Sequence, residues 1–209
     1  MNHNYPELSS AQKIWQEGID FRLSQPQPWP VHREYVFHTT GVADSARRIA
    51  AETPYLNPEK AYVLGLLHDY GKKYDERATG KFHARTGYEE LSAMGYDDAA
   101  RICLTHSFPD SDFEDSEYAS YYPEWLSWAR QELKKVVCDD YDRLIQLCDL
   151  FFEGMSKVGF AARFAGIEQR YHLLPSQTAR LKSAAARNKT FFDNLCGIDI
   201  YELLNISGL

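Results

Sequence analysis

The segment Ala61–Leu67, Ala-Tyr-Val-Leu-Gly-Leu-Leu, sets the tightest limit on how this chain can fold. It follows Asn57-Pro58, a helix cap and first-turn signal. Its apolar residues leave no polar stripe, and a helix apolar all round has to be buried. Seven residues fall far short of the roughly 20 that cross a bilayer, so the segment belongs at the centre of a helical bundle and no membrane partner is expected. The rest of the sequence agrees, because helical periodicity dominates and strand-like alternation is almost absent. The predicted fold class is all-α. Helices are expected over Ser10–Leu23, Glu34–Glu52, from Pro58 to a stop at Gly71, Ala84–Met94, Tyr96–Thr105, Glu124–Val137, Asp140–Phe152, Phe160–Tyr171 and Gln177–Leu195. A stiff connector with three prolines is expected at 25–30, and a long irregular loop at 107–122.

Composition narrows the class without naming a function. The chain has 209 residues, a formal charge of −7, 44% hydrophobic and 25% charged residues, which suits one globular domain over 1–209. An acidic balance discourages nucleic acid as a partner. The start Met-Asn-His-Asn-Tyr-Pro-Glu has neither basic nor apolar character, so the expected address is the cytoplasm. Cys103, Cys138, Cys148 and Cys196 form no CxxC pair and read as reduced, mostly buried thiols.

The chemistry lies where ionisable groups interrupt apolar helices. His68-Asp69 directly follows Leu64-Gly65-Leu66-Leu67, and Asp149 sits within Leu144–Phe152. A buried carboxylate needs a cation or a metal. One aspartate alone reads as a helix cap or an arginine partner, but His38 precedes the doublet, and His83 and His106 follow it near expected helix ends. Six imidazole and carboxylate groups suffice for two first-row transition ions. Lys72, four residues after His68, projects toward the same centre, where it is either a phosphate-holding cation or a solvated lysine at a helix end.

The order His38, His68-Asp69, Asp149, with His-Asp-Tyr-Gly-Lys at 68–72, resembles the H…HD…D pattern of the HD-domain metal-dependent phosphohydrolase superfamily. His83 and His106 resemble the extra ligands of its dinuclear members. The resemblance covers about 31–155, flanked by an N-terminal helix and Pro-rich connector (1–30) and a C-terminal helical extension (156–209). It implies an HD-type helical bundle in which His38, His68, Asp69 and Asp149 are the core metal ligands, Asp69 bridges, and His83 and His106 complete a second site. Asp69 and Lys72 would be catalytic. The implied cofactors are two divalent transition-metal ions, iron or manganese first, then cobalt, nickel or zinc. Two such ions lower the pKa of a shared water and neutralise charge on an attacked phosphoryl group. The implied partner is a small phosphorylated substrate, a nucleotide first.

The ligand set is most similar to that of bacterial symmetrical diadenosine tetraphosphate hydrolases. Ser107 stands where some cyclic-dinucleotide phosphodiesterases carry a histidine, and their Gly-Tyr-Pro motif is missing. Di-iron oxygenases of the myo-inositol-oxygenase type share these ligands, and a non-catalytic nucleotide-binding module is a third reading.

Other residues carry weaker signals. Arg85 ends a basic run with Lys72, Lys73, Arg77 and Lys81 and is a candidate for binding polyphosphate. The tyrosines of 107–122 suit a lid, whereas its five acids suit a partner surface. His3, His32 and His172 read as surface residues. Arg163, Arg170, Arg180, Lys182, Arg187 and Lys189 read mostly as a solvated helical face, and Trp15, Trp29, Trp125 and Trp128 as packing residues.

Overall fold

The computed structural model describes residues 4–26, 29–109, 123–171 and 173–206. In chain order the elements are α1 (Leu8–Leu23), α2 (Trp29–Ala51), α3 (Pro58–Leu67), a 3₁₀ turn (Tyr70–Lys73), α4 (Glu76–Thr79), α5 (His83–Ala93), α6 (Asp97–Thr105), α7 (Pro123–Leu133) and α8 (Asp140–Asp149). A two-stranded hairpin, β1 (Phe152–Glu153) and β2 (Ser156–Lys157), separates these from α9 (Phe160–Tyr171), α10 (Pro175–Cys196) and α11 (Ile200–Leu204). The hairpin is antiparallel, pairing Phe152 with Lys157 and Glu153 with Ser156. The fold is an all-α bundle, and this hairpin is the one sheet among the described residues.

The central helix is α3. Asn57 caps it, accepting hydrogen bonds from the backbone N–H of Glu59 (2.8 Å) and Lys60 (3.0 Å). Val63, Leu64, Leu66 and Leu67 are buried, each contributing about 1.5–3 kcal/mol relative to exposure. Helices α1, α2, α6 and α8 pack around it. The α2–α3 crossing is close because Gly65 lacks a side chain: a Cβ there would lie 2.8 Å from Ala43 Cα and 3.0 Å from its nitrogen. That contact fixes the register. His38 lies five residues before Ala43 and His68 three after Gly65, so the two imidazoles meet.

Several sequence expectations are corrected. Helix α3 stops at Leu67 rather than at Gly71, which sits in the 3₁₀ turn pressed on α5; a Cβ on Gly71 would be 2.0 Å from His83 O. The Pro-rich connector is shorter than expected, since α2 begins at Trp29 and accepts Pro30 in its first turn, where a missing N–H costs nothing. His32 is buried rather than on the surface. Helices α4 and α11, four and five residues long, and the hairpin of two-residue strands were not expected. The cysteines are free as read, with Cys103 and Cys148 buried but Cys138 exposed. The proposed lid falls mostly on 110–122 and, with His3 and His172, lies outside the described residues.

Candidate metal centre

Five structural segments deliver the centre. Helix α2 supplies His38, and the end of α3 supplies His68 and Asp69. His83 opens α5, His106 caps the C-terminus of α6, and Asp149 ends α8. Tight packing sets their spacing. Gly71 and Gly87 let the 3₁₀ turn lie against α5, which brings His83 to Asp69. Gln146 donates to Thr105 O (3.0 Å) and Thr105 to Asp142 (2.6 Å), holding α8 on α6.

Six side chains converge. His38 Nε2 lies 3.2 Å from His68 Nε2, 3.5 Å from Asp69 Oδ2 and 2.9 Å from Asp149 Oδ1. His68 Nε2 is 3.4 Å from Asp69 Oδ2 and 3.8 Å from Asp149 Oδ1. On the other carboxylate oxygen, Asp69 Oδ1 is 3.2 Å from His106 Nε2 and 3.7 Å from His83 Nε2. Two ligand triads therefore share Asp69: His38, His68 and Asp69, and Asp69, His83 and His106. Asp149 lies beside the first.

The ring tautomers favour a cation between these groups. His68 Nδ1 is 2.7 Å from Gly65 O and His106 Nδ1 is 3.0 Å from Ile102 O, contacts in which the ring nitrogen must donate. His83 Nδ1 likewise donates to Glu76 Oε1 at 2.5 Å. In the neutral rings all three Nε2 atoms then turn lone pairs toward the carboxylates. Asp69 Oδ1 is buried and receives no hydrogen bond, an arrangement that costs energy unless something positive lies between. Ligands about 2.1 Å from one ion are about 3.0–3.4 Å apart at octahedral or tetrahedral angles, close to most of the spacings here. The residues fit divalent metal ions.

The ionisation states point the same way. Burial opposes charge on Asp69, yet Lys72, His68 and His106 hold it well below the usual carboxylate range. Burial also opposes charge on Asp149, and His38, His68 and Arg163 overcome it. His38 and His106 are driven down by burial, toward the neutral ligand form. His68 is also buried, but Asp69 and Asp149 outweigh that and raise its pKa.

Lys72 lies at the centre, its Nζ 2.7 Å from Asp69 Oδ2 and its side chain 39% exposed. The turn is 3₁₀, so the pairing is i, i+3 from Asp69 rather than i, i+4 from His68. Arg85 is placed elsewhere: exposed, 2.8 Å from Glu89 and over the Trp128 ring, away from the cavity. Three residues at the centre are not among the expected site residues, and Arg163 is expected as part of a solvated helical face. Glu76 orients His83, Ser107 Oγ lies 3.1 Å from His106 Nε2 and 3.2 Å from His83 Nε2, and Arg163 reaches within 3.6 Å of Asp149.

A cavity of about 270 Å³ opens over the centre. Lys72, His83, His106 and Asp149 line its polar end, and Phe82, Trp125, Leu126, Ile167 and Leu181 are among its apolar walls. Phe82 and Trp125 stack at 4.9 Å and 8°.

The model of the HD domain family matches residues 35–151, more than half of the chain and a span that contains all six converging side chains. The chain belongs to the HD domain family. No curated protein and no solved structure matches it significantly. Family membership suggests a metal-dependent phosphohydrolase, and the His/Asp clusters are compatible with divalent metal.

Proposed function

We propose that this HD-family protein is a metal-dependent phosphohydrolase with a dinuclear centre, acting on a nucleotide or another small phosphorylated metabolite. The observation that carries this reading is the pair of triads joined at Asp69. His38, His68, Asp69 and Asp149 would hold one ion, and Asp69, His83 and His106 the other. Bound divalent ions supply Lewis acidity and a nucleophilic water at neutral pH. The chain's own contribution is placement. Asp69 fixes Lys72 at the cavity floor, where its ammonium faces the position a phosphoryl oxygen would take. Ser107 offers a hydroxyl between His83 and His106.

The Asp69→Asn variant tests this reading. It keeps the shape but removes the shared charge, so metal content and hydrolysis of a phosphate-ester panel should fall together. Elemental analysis beside a phosphate-release assay measures both. Undiminished hydrolysis by Asp69→Asn would end the proposal.

A further inference from the structure

Arg163 lies twelve residues beyond the family match, yet its guanidinium enters the metal cavity. Its side chain is 16% exposed, with Nη2 3.6 Å from Asp149 Oδ1, too long for a hydrogen bond. Among the described residues its one hydrogen bond is from Nη1 to Glu153 Oε2, at 3.0 Å. The guanidinium is therefore held in position but keeps N–H donors beside a metal ligand. Its anchor is purpose-shaped: Glu153 on β1 also accepts from Arg170, and Gly166 leaves room for that carboxylate, since a Cβ there would sit 2.5 Å from Glu153 Oε1. Arg163, Gly166, Ile167 and Arg170 lie at i, i+3, i+4 and i+7 on α9, so one helix face presents the cation, its anchor and an apolar cavity wall.

The remaining lining decides what accompanies the phosphoryl group. Among the described residues, the cavity's cationic side chains are Lys72 and Arg163, both at the metal end, while away from it the lining is mostly apolar, with Phe82, Trp125, Leu126, Ile167 and Leu181 among its residues. Both lie beside the metal ligands, so the apolar remainder offers no cation to the outer phosphates of a four-phosphate chain. The cavity's volume of about 270 Å³ falls below the range of roughly 300–1,000 Å³ for drug-sized ligands. We propose that Arg163 grips the substrate's phosphoryl group, and that the substrate is a phosphate monoester with a compact, ring-sized apolar or aromatic body. The substrate class rests on the phosphohydrolase reading; the phosphate grip can be tested without turnover.

The test uses the full-length, manganese-loaded protein and calorimetry with inorganic phosphate, methyl phosphate, phenyl phosphate and diadenosine tetraphosphate. Arg163→Ala should weaken phosphate binding about 30-fold, the loss of a charge-assisted contact, with metal content unchanged. Arg163→Lys keeps charge but not the two-pronged grip and should lose about 5-fold. Phenyl phosphate should bind wild type at least tenfold tighter than methyl phosphate, from burial of the ring. If Arg163→Ala loses metal or helicity, Arg163→Lys decides: wild-type phosphate affinity there overturns the grip. Wild-type affinity in Arg163→Ala, or no phosphate binding by wild type, also overturns it. Diadenosine tetraphosphate binding tighter than phenyl phosphate, or phenyl phosphate no tighter than methyl phosphate, overturns the substrate class. Phosphate binding that depends on Arg163 without hydrolysis of any ester would defeat the phosphohydrolase reading and leave the grip standing.

Discussion

Glu76 acts on the centre without lining the cavity. One carboxylate oxygen, Oε1, accepts from both the ring Nδ1 (2.5 Å) and the backbone N–H (2.7 Å) of His83. Burial opposes its charge, but His83 holds its pKa below the ordinary carboxylate value. The pairing keeps the His83 proton on Nδ1 and the Nε2 lone pair toward Asp69. A carboxylate partner of this kind orients a ligating ring, and losing it commonly costs 10–100-fold in metal affinity. Glu76→Gln keeps the shape but gives a weaker acceptor that can turn its amide N–H toward the ring. The expected outcome is 10–100-fold weaker loading of one ion, with the ion proposed at His38, His68, Asp69 and Asp149 retained. Stepwise metal titration by calorimetry checks it; two unchanged binding steps would show that Glu76 is incidental.

At the scale of elements, glycine contacts set the distances on which the centre depends. Gly65→Ala would drive a methyl group against Ala43 backbone atoms, which cannot rotate away as a side chain can. The gain in helix propensity, up to about 1 kcal/mol, does not offset overpacking of about 1–3 kcal/mol. The variant should be less stable in urea and bind metal more weakly, because separating α2 from α3 parts His38 from His68. Stability lost with metal affinity intact would mean that the crossing does not set the ligand spacing. The same contrast explains what the sequence made legible. Asn57-Pro58, the apolar run behind it and the capping residues are local signals, so most helices could be placed to within a few residues. His38, His68, Asp69, His83, His106 and Asp149 stood out because ionisable groups beside apolar helix segments need partners. Glu76, Arg163 and the burial of His32 were not legible. Glu76 precedes His83 by seven residues with no helix joining them, Arg163 looks like any other basic residue of the late helices, and His32 follows a proline-rich stretch. Their roles arise from contacts between distant segments.

For the molecule as a whole, the centre ties stability to pH in a way that metal should reverse. Without metal, four histidines and two aspartates share the space, and His68 is the ring whose pKa is raised. A raised histidine pKa stabilises the folded state below about 6.5, and that contribution is lost as pH rises through the folded value. On the acid side, Asp69, Asp149 and Glu76 have lowered values, so their stabilisation is present above the ordinary carboxylate range and lost as pH falls through their folded pKa values. His38 and His106 add to the acid loss, because the unfolded chain takes up protons below about 6.5 that the folded chain resists. Chelated protein should therefore have its highest melting temperature near neutrality and decline on both sides. A bound cation replaces the His68 proton, and it stabilises the folded state by binding it selectively. Metal-loaded protein should melt higher and lose the alkaline decline, since ligand deprotonation then favours binding. Thermal melts from pH 5 to 9, with chelator and with manganese, measure both curves. If they run parallel across the alkaline limb, His68 does not exchange its proton for metal, and the first triad is a hydrogen-bonded cluster rather than a metal site.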